Sequence, residues 1–324
     1  MSWGRLSDNR SMASLSKRIR QKAVEIGFDK VGIVAAGALG DEGTQLRDWL
    51  ERGFHGDMAW MAREPEKRCD PRQLFDGARS IVVAGHNYFT DYKHADDRLK
   101  GKVSRYAWGD DYHDVLREKL NELLSWITTE MPGVTGKVCV DTAPFMDKAW
   151  AVRAGLGWIG KHSNLITKEL GSWVFIGSLI LDIELDYDPD LVEDHCGTCT
   201  ACLDECPTNA IVEPYVVDSR KCLSYATIEL RDEKLPDEIG ENLNGWLYGC
   251  DICQDVCPWN RFEQATPEAR FEPRSGETSL DLETVGEMSD GDYVGRFRRS
   301  AIKRAKLSGL KRNAAALLAA GDVS

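Results

Sequence analysis

Cys196-Gly-Thr-Cys199-Thr-Ala-Cys202-Leu-Asp-Glu-Cys206-Pro207 is the stretch on which the architecture turns. Three cysteines separated by two residues wrap a tight loop around one cube of iron and sulfide. The fourth follows after three more residues and points its thiolate at a second cube, and the proline after it ends the loop. The spacing therefore announces two [4Fe–4S] clusters, and the rest of the chain has to supply the missing ligands.

It does so with Cys250-x2-Cys253-x3-Cys257-Pro258, a run one cysteine short of the ferredoxin pattern, and with Cys222 upstream. Two clusters need eight thiolates, and eight of the ten cysteines lie between residues 196 and 257. The crossed rule assigns Cys196, Cys199, Cys202 and Cys257 to cluster one. Cys206, Cys222, Cys250 and Cys253 go to cluster two. Zinc is the competing reading, but structural zinc sites pair two short Cys-x2–4-Cys hairpins, and two Cys-Pro runs fit that poorly. Cys69 and Cys139 stand apart and read as packing residues.

Working outward, 324 residues are enough for two domains, and 42% hydrophobic content suits a real core. The longest apolar stretch, Val174 to Leu181, is far short of the ~20 residues of a membrane span. The N-terminus is polar and carries no apolar signal segment. A cytoplasmic location is expected, where thiols stay reduced and crowded cysteines mean metal. The net charge of −12 argues against a non-specific nucleic-acid binder. Yet between Tyr293 and Ala320 eight Arg or Lys residues meet no acid. Such a tail is either a local phosphate-binding face or a solvated helix face.

Before the cysteines, Leu15, Ile19, Ala23 and Ile26 fall at helical spacing with Gly27 as a stop. Leu116, Leu120, Leu123 and Ile127 repeat the pattern, ending before Pro132. Val31–Val34, Ile81–Ala84, Val138–Val140 and Trp173–Leu181 read as strands, and Pro144–Ala154 as a helix capped by Thr142 and stopped by Gly155. The alternation predicts an α/β (α+β) domain over residues 1–185. A ferredoxin-like two-cluster domain over 186–265 and a short basic helical segment over 266–324 follow. Asp182–Asp194 reads as a linker and Glu263–Asp281 as loop.

Clusters carry electrons but choose no substrate, so the first domain should hold the site where electrons are used. Gly155-Leu-Gly157-Trp-Ile-Gly160 has the spacing of a dinucleotide fingerprint but follows a helix pattern. It reads better as a tight backbone path against a ligand or another strand. The D-x-H-x-x-G motif that gives a histidine to cobalt begins at Asp111-Tyr-His113, but residue 116 is Leu. His113 is therefore not expected to ligate cobalt.

Several segments together resemble the epoxyqueuosine reductase family. They are Asp141-Thr-Ala-Pro144, Ala154-Gly-Leu-Gly-Trp-Ile-Gly-Lys-His162, Gly171-Ser-Trp173, Cys222-Leu-Ser-Tyr225, Tyr248-Gly-Cys-Asp-Ile-Cys253 and Cys257-Pro-Trp-Asn-Arg261. The resemblance runs from Gly27-Phe-Asp-Lys-Val-Gly-Ile33 through Trp108-Gly-Asp-Asp-Tyr-His113 to Gly309-Leu-Lys-Arg-Asn313, nearly the whole chain. Some members add a helical-repeat domain after this point, so the chain resembles the short form.

The resemblance implies base-off cobalamin beside the two clusters. It implies that the epoxide on the wobble base of a tRNA anticodon is reduced to queuosine, with two electrons and two protons consumed and water released. It makes Asp141 the general acid, a group ionised at neutral pH at its ordinary value and one that burial beside the corrin would push upward. It places Arg68, Ser104, Asp141, His162, Ser163, Ser224 and Asp251 around the corrin. Tyr225 and Trp259 are either base-stacking or core aromatics. Arg298, Lys303, Arg304 and Arg312 are candidates for tRNA phosphates. A monomer fed by an external low-potential electron donor, with no membrane association, completes the expectation. The rivals are a cobalamin-dependent reductive dehalogenase, a ferredoxin-type carrier without its own substrate, and a zinc-based RNA binder.

Overall fold

A computed structural model of the chain describes residues 4–188 and 191–321. Ahead of the cysteine runs come α1 (Gly4–Ile26), β1 (Lys30–Ala35), α2 (Gly40–Glu51), α3 (Pro65–Cys69), β2 (Ser80–Asn87) and β3 (Lys100–Val103). They are followed by α4 (Tyr112–Glu130), β4 (Gly136–Cys139), α5 (Asp147–Arg153), β5 (Trp158–Ile159), β6 (Leu165–Ile166) and β7 (Val174–Leu181). The cysteine-rich segment contains α6 (Ala201–Asp204), β8 (Ile211–Glu213), β9 (Val216–Val217), α7 (Leu223–Ile228), α8 (Asp237–Gly240), β10 (Trp246–Tyr248) and α9 (Ile252–Asp255). The chain then runs through β11 (Ser279–Asp281), α10 (Leu282–Glu287), α11 (Asp290–Arg296) and α12 (Lys306–Gly321).

The main sheet has the order β1-β2-β7-β4, with every pair antiparallel. All eight residues of β2 are buried, as a strand covered on both faces requires. The period of two sorts its side chains between two cores. Val82 and Ala84 join α1 and α4 on one face, through Leu15, Ile19, Leu116, Leu120 and Ile127. Ile81 and Val83 meet Leu46, Ala149, Trp150 and Ala151 of α2 and α5 on the other. The apolar stripe of α4 is thus explained, and Asp111 caps that helix by accepting from the His113 N–H at 3.1 Å. The segment before the cysteines is pinned to β1 rather than free, because the Asp188 carboxylate accepts from the Ile33 N–H at 2.7 Å.

Two expectations change. The helix after β4 begins only at Asp147, with no side-chain cap, because Asp141 takes a left-handed conformation (φ 53°) and the chain turns before it can wind. Thr142 instead bonds the Val140 carbonyl at 3.2 Å. Part of the expected 263–281 loop is β11, which joins a second sheet in the order β10-β3-β11. That sheet draws one strand from before, one from within and one from after the cysteine-rich segment.

The glycine loop behaves as a tight path. A Cβ on Gly157 would lie 2.0 Å from the Ile166 carbonyl oxygen, so only glycine lets β5 pass this close to β6.

Candidate functional site

The eight clustered thiols fall into two groups. Cys196, Cys199, Cys202 and Cys257 line one cavity of about 180 Å³, with His195 and Trp259 among its other walls. Cys257, from the second run, has crossed to the first. Burial and the neighbouring Cys257, Cys196 and Cys199 push the Cys202 thiol up to about 11. The other group is Cys206, Cys222, Cys250 and Cys253. Burial pushes Cys222 up, with Cys206 adding to it. Burial likewise pushes Cys253 up, and Cys222, Cys206 and, across the gap to the first group, Cys202 contribute. Among the described residues no three His, Cys, Asp or Glu side chains are grouped to hold a single metal ion. The four thiols that line one cavity match the four thiolates a cube needs.

The loops are held for this purpose. Lys161 is buried, and its ammonium donates to the carbonyls of Gly197 and Cys199 at 2.7 and 2.8 Å, fixing the first cysteine loop. The Ala210 N–H donates to Cys206 Sγ at 3.2 Å, the kind of bond that tunes a cluster's potential.

Asp141 lies beyond β4, turned outward by its left-handed backbone, with its side chain 65% exposed. Aspartate is among the residues that tolerate this conformation. Two donors converge on its Oδ2, the Tyr112 hydroxyl at 2.7 Å and His113 Nε2 at 3.3 Å. The other ring nitrogen of His113 faces Asp111 Oδ1 at 2.7 Å. Both nitrogens are thus engaged by carboxylates. Desolvation by the surrounding protein presses the Asp141 pKa upward, but His113, Tyr112 and the Lys148 charge outweigh it. The carboxyl therefore sits below the usual range, opposite to the direction burial alone would give.

Next to it, burial and the Asp141 charge push Asp147 up to about 8. Burial lowers Lys148, whose ammonium bonds the Ser163 carbonyl and Asn164 Oδ1 at 2.9 and 2.8 Å. Lys148 also feels Cys253, so the second thiol group and Asp141 flank one lysine. Tyr112 and Lys161 lie inside segments that carry the family resemblance and Asp147 and Lys148 lie outside them, but no sequence signal assigned any of the four a role.

The other expected residues divide. Arg68 and His162 are buried, and each keeps a nitrogen without a protein partner, Arg68 Nε and His162 Nε2. Asp147 Oδ1 is a third such atom. Arg68 and Asp147 interact with Asp141, and His162 with Lys148, so the three residues with buried unmatched polar atoms belong to the neighbourhood of Asp141 and Lys148. A cofactor fringed with amide groups would match them. Burial and Lys148 hold His162 down to about 4, so it is neutral. Ser163 Oγ donates to the Tyr215 carbonyl at 2.7 Å, and the Ser224 N–H bonds the Cys222 thiol. Ser104 and Asp251 are buried and bond each other, and Asp251 also accepts from the Arg105 N–H at 2.8 Å. Their polar groups are matched within the protein.

Tyr225 is a core residue whose hydroxyl accepts from the Asp57 N–H at 2.8 Å. Trp259 packs edge-on against Trp158, 4.9 Å between centroids, beside the first thiol cavity. In the basic tail, Arg312 turns inward onto the carbonyls of Ala226, Leu230 and Asp232, at 2.7–3.0 Å. Arg304 forks onto Glu229 at 2.7 and 2.8 Å, and Arg298 is exposed.

Known proteins share this arrangement. Residues 68–142 match the family described as "Epoxyqueuosine reductase QueG, DUF1730", and residues 195–260 match a "4Fe-4S double cluster binding domain". The epoxyqueuosine reductase of Cellulophaga algicola is 47% identical over 92% of this chain and 96% of its own length. That of Synechocystis sp. is 50% identical over 86% and 96%. Among solved structures, an epoxyqueuosine reductase with an epoxyqueuosine-modified tRNA-Tyr stem loop superposes with TM-score 0.87 at 32% identity, covering 94% of this chain and 81% of that one. The Bacillus subtilis enzyme, with a catalytic loop swung out of its active site, gives 0.88 at 31% identity over the same shares. Shared sequence over nearly the full length, the double-cluster segment and a common fold lead to one conclusion: the chain belongs to the epoxyqueuosine reductase family.

Proposed function

We propose that the chain reduces the epoxide of epoxyqueuosine at the tRNA wobble position to the alkene of queuosine, using two [4Fe–4S] clusters and base-off cobalamin. The observation that carries this reading is the placement of Asp141, held by Tyr112 and His113, with one lysine, Lys148, whose charge interacts with both Asp141 and Cys253. Proton chemistry and electron delivery meet there.

In this reading Cys196, Cys199, Cys202 and Cys257 hold cluster one, and Cys206, Cys222, Cys250 and Cys253 hold cluster two. Cys199 is exposed and belongs to the outer group. An external low-potential donor reduces that cluster first, and cluster two relays to the Asp141 face. Arg68, His162 and Asp147 bind the corrin through their unmatched atoms, with Ser163 and Ser224 beside them. Ser104 and Asp251 act one step back, positioning the Cys250–Cys253 loop. Bound cobalamin supplies low-potential reduction at cobalt, the chemistry this chain's side chains lack.

The reaction consumes two electrons and two protons, breaks both C–O bonds of the epoxide and releases water. The departing oxygen needs a proton while the C–O bond breaks. Asp141 delivers it, although its carboxyl is ionised at rest, so the proton must reach it during the cycle. The wobble base leaves its stack to reach this face, as enzymes acting on bases require. Exposed Arg298 and Lys303 remain for backbone phosphates. The chain works as a monomer in the cytoplasm. Among the described residues no helix is long and apolar enough to cross a membrane.

Anaerobically reconstituted protein, given epoxyqueuosine-containing tRNA and a chemical reductant, should yield queuosine. Asp141→Asn should retain iron and corrin but lose about 10²-fold or more in turnover, the worth of a positioned acid. Unchanged epoxide with full cofactors would defeat the reading.

A further inference from the structure

The carboxylate that faces the reaction is ionised, and the group touching it from behind is an imidazole clasped by a second carboxylate. Asp111 caps α4, Tyr112 and His113 form its first turn, and Asp141 closes over them from the loop after β4. The His113 ring stacks on Tyr112, 4.0 Å between centroids, and Tyr112 stacks on Phe175 of β7 at 4.4 Å, so the ring cannot swing freely. Its side chain is 22% exposed, which leaves a route to water.

We propose that Asp111, His113 and Asp141 form a proton relay, in which His113 recharges Asp141 from its Nε2–H while Asp111 holds the opposite nitrogen. The inference rests on the functional reading above and adds the source of the proton. His113 acts through Asp141 and meets neither substrate nor cofactor. In each pass the Nε2–H bond breaks, a proton joins the Asp141 carboxylate and moves on to the departing oxygen, and the neutral imidazole regains a proton from water. Two passes supply the two protons, and the external donor's two electrons complete the balance.

The surrounding charges favour a protonated resting ring. Burial alone would disfavour the imidazolium, but the bonds and charges of Asp111 and Asp141 carry it up to about 9. Asp147 faces it from α5. The opposing cations sit one shell out. Lys148 and Arg68 address Asp141, and Arg117 addresses Asp111. Tyr112, driven well above its ordinary value by burial and Asp141, stays a neutral donor.

Asp111→Asn is the informative variant, because asparagine still caps a helix while removing the charge behind the ring. With histidine isotopically labelled, clusters oxidised and cobalamin in its diamagnetic cobalt(III) form, NMR of the holoenzyme should show His113 as imidazolium at pH 7, titrating near 9. His113→Gln assigns the signal. In Asp111→Asn the titration should fall by at least one unit, and the alkaline limb of single-turnover tRNA reduction should move down with it. His113→Gln should lower that rate at least tenfold and abolish the limb. A neutral His113 at pH 7, or a His113→Gln rate within twofold of wild type with the same pH profile, would overturn the relay. Wild-type protein that leaves the tRNA epoxide intact would instead overturn the functional reading, whatever the NMR shows.

Discussion

The crossing of Cys257 can be tested by counting iron in pairs of variants. Cys257 belongs by sequence to the second run, but it lines the first cavity with Cys196, Cys199 and Cys202. Each cube holds about four irons and needs four thiolates, so an intact chain carries about eight. Cys257→Ala and Cys199→Ala should each fall to about four, and the double variant should fall no further, because both changes strike one cluster. Cys257→Ala with Cys253→Ala strikes both and should approach zero. Iron and acid-labile sulfide per chain, measured after anaerobic purification, read this directly. EPR of the reduced single variants should show one isolated cluster without spin coupling to a neighbour. If Cys257→Ala with Cys253→Ala retains about four irons while Cys257→Ala with Cys199→Ala loses all of them, each run serves its own cluster and the crossed pairing is wrong.

Two further outcomes follow from the side chains around the site. Arg312→Ala should cost about 2 kcal/mol or more in urea unfolding, since it strips a charged donor from three carbonyls, yet leave the salt dependence of tRNA binding unchanged. Arg298→Ala should do the reverse, lowering the slope of log K against log salt by about one, and a match between the two variants would refute the division. Hydrogen bonds from Arg270, then Lys119, hold Glu268 far below the usual carboxylate range. A depressed folded-state pKa gives stability that is present above the ordinary carboxylate value and lost as pH falls below it. Glu268→Gln should therefore lose stability at pH 7 and show a flatter decline between about pH 4.5 and pH 2; parallel wild-type and variant curves would refute this.

How much of this was legible depended on how local each signal was. The cysteine spacing is local, since Cys196 to Cys206 share one loop. The apolar runs of β2 and β7 are long enough to read as buried strands, and the stripe on α4 is regular from Leu116 to Ile127, about three turns. The second sheet was not legible. β3, β10 and β11 have four, three and three residues, too few for a periodic pattern, and their pairing joins Lys102 to Trp246 and Ser279. Likewise Thr142 resembled a cap because a Thr before Pro144 often is one. The left-handed backbone at Asp141 that moves the helix start to Asp147 has no marker beyond the aspartate itself.

The proton chemistry was the least legible, for an electrostatic reason. A sequence lists which groups titrate, and a resemblance can say which one faces the substrate. The sign of a pKa shift depends on what opposes burial at that spot. Burial alone would raise Asp141, as expected of an acid catalyst. Two donors converging on one oxygen, and Lys148 nearby, lower it instead. The same contacts lift His113, because a bond that stabilises a carboxylate as an anion stabilises its partner as a cation. Asp147, which lacks a cation in bonding contact and lies beside the Asp141 charge, moves the other way, up to about 8. Three ionisable groups within one turn and loop thus diverge by environment alone, and the charge that leaves Asp141 without a resting proton holds one on the imidazole behind it.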